Sequence, residues 1–124
     1  MSVIVRDDGF HAEDYRGDGA IDIAAGTMPE ALPERFDGIE LIRVAFPAFS
    51  DGRGFSLARH LRARGYAGRL RAAGPLIADQ FAMARRSGFD EVEIPDELAA
   101  RQPEAQWRFR ADWRDHDYRS RLKA

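Results

Sequence analysis

Residues 39–95 read IELIRVAFPAFSDGRGFSLARHLRARGYAGRLRAAGPLIADQFAMARRSGFDEVEIP, and one pattern runs through them twice. Ile39–Phe46 is apolar on both faces toward its end, as a strand covered on both sides requires. Pro47 has no amide to give a sheet ladder and stops it. A glycine-bearing loop follows, then a helix from about Phe55 to Arg64. Leu57, Ala58 and Leu61 form its buried stripe, with Arg59, His60 and Arg62 facing outward. Gly65 stands where a left-handed helix end needs glycine, and Tyr66 where an apolar contact back to the last turn is usual. The unit then recurs. Arg69–Ala73 is a strand, and Gly74-Pro75 opens a second helix with proline in its first turn. Leu76, Ile77, Phe81 and Ala84 are its buried positions, and Arg85 and Arg86 complement the dipole of its last turn. Gly88-Phe89 repeats Gly65-Tyr66 23 residues later, and Glu91–Ile94 is a third strand closed by Pro95. Strand–helix–strand–helix–strand demands right-handed crossovers and a parallel sheet. The expected fold class is α/β, with a small three-layer βαβαβ core.

Outside this core the signals weaken. Val3-Ile4-Val5 reads as a strand, and Asp8-Gly9 as a turn into a second extended piece around Phe10. Residues 15–38 are poorly patterned, except that Ala20-Ile21-Asp22-Ile23 alternates like a short edge strand. Pro95-Asp96-Glu97 starts a short helix with Asp96 as its cap. A last helix is expected from Pro103 to about Leu122, docked by Trp107 and Trp113. The organisation is one domain over residues 1–124: N-terminal strands and arm (1–37), core (38–95) and C-terminal helices (96–124). The strands of so small a sheet leave edges to be covered, so a homodimer is expected, or coverage by the N-terminal strands or last helix.

The chain has 124 residues and a formal net charge of −2. Residues 1–50 hold ten acids and four bases, whereas residues 51–86 hold eight arginines against Asp51 and Asp79. Such a stretch attracts an anion, an acidic protein or a nucleic acid, unless its arginines merely decorate solvated helices. With no cysteine, disulfides, thiolate metal sites and iron–sulfur ligation are excluded. His11, His60 and His116 lack ligand spacing, so no metal site is expected. No apolar run approaches the roughly 20 residues of a membrane span, and the N-terminus does not read as a signal peptide. The expected location is cytoplasmic.

In a parallel sheet, ligands gather beyond the carboxyl ends of the strands. That rim carries the candidate site: Asp51, Gly52, Arg53, Gly54 and Ser56 from the first loop, and Asp79 and Gln80 from the second. The two glycines permit unusual backbone shapes and close approach. Ser56 would cap the helix, whose free amides favour an anion. Arg53 adds a forked cation suited to an oxyanion, and Asp51 would orient it or cap the turn. Asp51 and Asp79 are also an acid–base pair if the rim joins them. The same residues equally serve as a tight turn and a helix cap with no ligand. Gly52-x-Gly54 lacks the third glycine of a dinucleotide fingerprint and the lysine of a P-loop. No flavin or nicotinamide signature is present, and the identity of any cofactor stays open.

The run Phe46–Ser56, together with Ile42–Phe46, Ala58-Arg59, Leu61-Arg62, Arg69–Gly74, Asp79-Gln80 and Arg86–Asp90, strongly resembles the bacterial DUF934 family of unknown function. The Asp-Gly-Arg-Gly-aromatic-Ser segment matches without a gap, and the resemblance covers roughly residues 38 to 94. Members are commonly labelled oxidoreductases of sulfite reduction. The resemblance brings no catalytic residue to this chain. It implies a place in sulfur assimilation and cysteine biosynthesis, with sulfite reductase or another enzyme of that route as partner. Three readings follow: an accessory protein whose 51–56 loop binds an anion or a partner, a stand-alone oxidoreductase with an unrecognised cofactor site, and a nucleic-acid binder using the arginines of residues 59–71.

Overall fold

The repeat folds as its pattern demands. A computed structural model describes residues 2–111. It contains β1 (Ser2–Arg6), β2 (Gly9–His11), β3 (Ala20–Ala24), β4 (Leu41–Ala45), α1 (Arg53–Ala63), β5 (Arg69–Ala73), α2 (Phe81–Ser87), β6 (Glu91–Pro95), α3 (Asp96–Arg101) and α4 (Glu104–Phe109). The strands form one sheet in the order β2-β1-β6-β5-β4-β3. Strands β3 to β6 run parallel, while β1 pairs antiparallel with both β6 and β2. The edge of the parallel core at β6 is therefore covered within the chain by β1, and Ala20–Ala24 is the edge strand its alternation predicts. Gly65 and Gly88 adopt φ of +101° and +117° just past α1 and α2, as their positions require.

Alternation sorts the strand residues onto two faces. Val5, Ile42, Val44, Leu70, Ala72, Val92 and Ile94 share one buried cluster with Leu57, Ala58 and Leu61 of α1, Phe81 and Ala84 of α2, Leu98 of α3 and Trp107 of α4. All four helices of the described residues thus lie on one face. The class is α/β, but the third layer is not helical. The opposite face carries Asp22, Arg43, Arg69, Arg71, Glu91 and Glu93, and the irregular segment 12–19 covers its Arg69–Arg71 part. The reason is local: β4, β5 and β6 are neighbours joined by right-handed crossovers in one direction, which places both connecting helices on the same side.

Boundaries moved for identifiable reasons. Helix α1 begins at Arg53, two residues before the expected start, with Gly52 as its cap. The second helix does not open at Gly74-Pro75. Ile77 is extended (φ −100°, ψ 159°), a 3-10 turn spans Ala78–Gln80, and α2 starts only at Phe81. Asp96 lies inside the first turn of α3, and the capping residue is Pro95. Helix α4 starts beside Pro103, its cap, but it ends at Phe109 with Arg110 as its C-terminal cap. The single helix expected from Pro103 to about Leu122 therefore does not form, and Trp113 lies outside the described residues. No helix among the described residues is long and apolar enough to cross a membrane.

Candidate functional site

The carboxyl ends of β3, β4 and β5 deliver the segments after Ala24, Phe46–Gly52 and Gly74–Gln80 to one rim. At its centre Asp51 accepts three hydrogen bonds from Arg53: backbone N–H to Oδ1 at 3.1 Å, Nε to Oδ1 at 2.9 Å and Nη2 to Oδ2 at 2.7 Å. Arg53 is oriented by Asp51, as expected. Its side chain nevertheless remains 68% exposed, against 11% for Asp51. The Arg53 hydrogen bonds hold the Asp51 carboxyl below the usual carboxylate range. Gly26, in the segment after β3, lies beside the same guanidinium. Two large apolar side chains of these segments, Met28 and Phe49, are exposed.

The remaining predicted residues divide. Gly52 has an ordinary helical backbone (φ −75°) and open space where a β-carbon would stand. Gly54 is needed for space instead of backbone shape, because a β-carbon there would overlap the buried ring of Phe46. Ser56 is exposed within α1 and caps nothing, since the Asp51 carboxylate has taken the first amide of a helix that starts earlier. Gln80 closes the rim: its Nε2 donates to the Phe49 carbonyl at 2.5 Å, and its Oε1 accepts from the Ile77 amide at 3.0 Å. Asp79 pairs with Arg110 at 3.0 Å, beside a cleft of about 320 Å³ shared with Phe109. Asp51 and Asp79 are therefore engaged by different arginines, and no acid–base pair forms between them.

A second locus was missed from the sequence. On the face away from the helices, the register Asp22↔Arg43, Arg43↔Arg71 and Arg71↔Glu91 lines charges across four strands. Arg71 is fully buried. Its Nε donates to Glu91 at 2.7 Å, and its Nη1 to Glu93 at 2.9 Å and Glu13 at 2.8 Å. Glu91, 2% exposed, also receives Arg69 at 2.8 Å and Arg6 at 3.0 Å. The signal was present: Arg69-x-Arg71 and Glu91-x-Glu93 are charge pairs at the period of a strand.

Burial raises the Glu91 pKa, but hydrogen bonds from Arg71 and Arg69 outweigh it and hold the carboxyl below its ordinary value. Asp14, bonded first by Arg6 and then by Arg69, is lowered too. Carboxyls depressed in the folded state add stability above their unfolded pKa and lose it as pH falls through the folded one. The melting temperature should therefore be flat near neutrality and fall once the pH drops below the ordinary carboxylate range near 4. A melting curve unchanged down to pH 3 would contradict the network.

The eight arginines of residues 51–86 are largely consumed inside the molecule. Arg62 donates to the carbonyls of Tyr66, Gly68 and Gly88 and to Asp90. Arg64 reaches the carbonyls of Pro29 and Leu32, and Arg85 holds Asp7 and the Phe89 carbonyl. Arg69 and Arg71 belong to the sheet-face network. The segment 59–71 is thus mainly a set of clamps.

These features define an α/β protein with an arginine-bearing rim at the carboxyl ends of its parallel strands. The chain belongs to the DUF934 family, described as bacterial protein of unknown function, whose match spans residues 20–122. Comparison with curated proteins and with solved structures gives no match.

Proposed function

We propose that this chain is an accessory protein of sulfite reduction that docks on an acidic surface of a partner enzyme through its carboxyl rim, with Arg53 as anchor. The observation that carries the reading is the state of Arg53: oriented by Asp51, yet two-thirds exposed at the start of α1. A pre-oriented guanidinium loses little freedom on binding a carboxylate. Phe49 and Met28 supply the exposed apolar neighbours that interfaces favour beside arginine, and the open space before Gly52 admits a close approach. A partner is favoured over a free anion because the exposed Phe49 and Met28 give the rim apolar area that a small anion would leave uncovered. The pathway rests on the family resemblance and its labels.

Deletion of the gene should create a cysteine requirement relieved by sulfide but not by sulfite. The Arg53→Ala protein should fail to restore growth on sulfite while melting as the unaltered protein does. It should also lose at least about tenfold in affinity for sulfite reductase in a pull-down titration, the scale of an interface anchor. Full growth of the Arg53→Ala strain on sulfite would overturn the reading.

A further inference from the structure

The sheet face away from the helices holds a cationic seat that the rim does not use. Arg6 and Arg69 converge on Asp14: Arg6 Nη2 donates to both carboxylate oxygens at 2.8 and 2.9 Å, and Arg69 Nη2 to Oδ1 at 3.0 Å. Behind them the next residue, Glu13, takes Arg71 Nη1 at 2.8 Å. Both acids lie on the irregular segment 12–19. That strap is held further by Tyr15, whose hydroxyl donates to Glu40 at 2.9 Å and accepts from the Gly19 amide at 2.7 Å.

Three observations distinguish this from a finished structural network. Arg71 Nη2 is buried with no hydrogen-bond partner among the described residues, so the cluster is one acceptor short at a cost nature seldom leaves standing. An open cleft of about 520 Å³ adjoins the cluster, walled by Arg6, Arg69, Asp14 and Glu91. Of its remaining acids, Asp7 is paired with Arg85 and Asp90 with Arg62, while Asp8 is hydrogen-bonded to the His11 ring, which offsets its charge only when protonated. Within the cluster itself, among the described residues and without the strap, Arg6, Arg69 and Arg71 stand against Glu91 and Glu93, three cations to two carboxylates. Glu13 and Asp14 reverse that excess to one negative charge.

We infer that Arg6 and Arg69, backed by Arg71, form a binding site for a small oxyanion, occupied in the resting chain by the Asp14 and Glu13 carboxylates of the 12–19 strap. The ligand chemistry is that of a tetrahedral oxyanion such as phosphate or sulfate, free or borne on a metabolite. The strap is its internal competitor. Apparent affinity is low while the strap is seated, because only the open fraction of the chain binds.

The test titrates inorganic phosphate and sulfate at low ionic strength, followed by calorimetry and by the arginine Nε–H signals in NMR. The Glu13→Gln/Asp14→Asn chain should bind at least about tenfold more tightly than the unaltered chain. Adding Arg69→Ala should abolish that binding, and Arg53→Ala should leave it unchanged. Equal response to both ions supports an oxyanion seat in general, and response to phosphate alone a phosphate-bearing ligand. No binding by the folded double variant, or binding indifferent to Arg69→Ala, overturns the inference. Should the double variant not fold, the unaltered chain decides. Phosphate, but not sodium chloride of equal ionic strength, should accelerate exchange of the Gly19 amide by lifting the strap, and an unchanged rate overturns the inference.

Discussion

Arg71→Met should lower the free energy of unfolding by about 3–5 kcal/mol, read as a fall in the urea midpoint at unchanged slope. Methionine fills the space of the arginine stem, so the loss is electrostatic and not a cavity. Arg71 is the buried hub between Glu91, Glu93 and Glu13. Without it Glu91, nearly as buried, keeps only Arg6 and Arg69 at its margin. Removing one partner from a buried ion cluster costs more than the intact pair contributes, because the carboxylates of Glu91, Glu93 and Glu13 lose a cation while Glu91 stays desolvated. Arg71→Met/Glu91→Leu should therefore recover much of the loss, because both ends of the buried pair become apolar. A double variant as unstable as the sum of its single changes would show that Arg71 acts through packing alone. Set against a total stability of about 5–15 kcal/mol, the single change brings the chain close to unfolding.

The same residue shows where sequence reasoning stops. The β4-α1-β5-α2-β6 unit was legible because its signals are local: apolar alternation, Pro47 and Pro95 ending strands, Gly65 and Gly88 ending helices. Each acts within a few residues of itself. Arg62 was read as facing outward, and Arg69 and Arg71 as strand residues without partners, because no local pattern names the carboxylates across the fold that receive them. Arg71 meets Glu91 twenty residues on, and Arg64 reaches Pro29 and Leu32 from the following crossover. Reading Arg-x-Arg against Glu-x-Glu as facing rows on adjacent parallel strands would have recovered the ladder. It would also have shown that one sheet face needs no helix.

At the rim the failure was finer. Ser56 looked like the cap because serine is a favoured capping residue, but Asp51 stands five residues earlier and its carboxylate reaches the Arg53 amide. Once Asp51 takes that role, α1 gains its first turn from Arg53 onward, and Ser56 rotates into solvent. Exposure was the property no local pattern carried. The Arg53 side chain stays in water because its ion partner among the described residues sits two residues before it, on the same loop. That arrangement makes Arg53 both rigid and available, which is the basis for testing it as an anchor.

Gly74→Ala should be as damaging as the loss of Arg71, and for a purely steric reason. Gly74 has φ +146°, a conformation that L side chains rarely adopt, and a β-carbon there would overlap the carbonyl oxygen of Phe46. That carbonyl cannot retreat. The Phe46 amide donates to Ala73 at 2.7 Å, and its ring packs on Phe55 and Phe89 with centroids 5.2 and 6.0 Å apart. Gly74 is held equally firmly, its amide donating to Glu93 at 2.9 Å. Backbone strain of about 1–3 kcal/mol adds to overpacking of about 1–3 kcal/mol, for an expected loss of about 3–5 kcal/mol. Gly52→Ala is the control: ordinary backbone and open space predict a change within about 0.5 kcal/mol. If the two substitutions cost the same in urea unfolding, the close crossing of the β4 and β5 exits is not what shapes the rim. If only Gly74→Ala is costly, the loops bearing Arg53 and Gln80 owe their mutual position to that one contact between backbones.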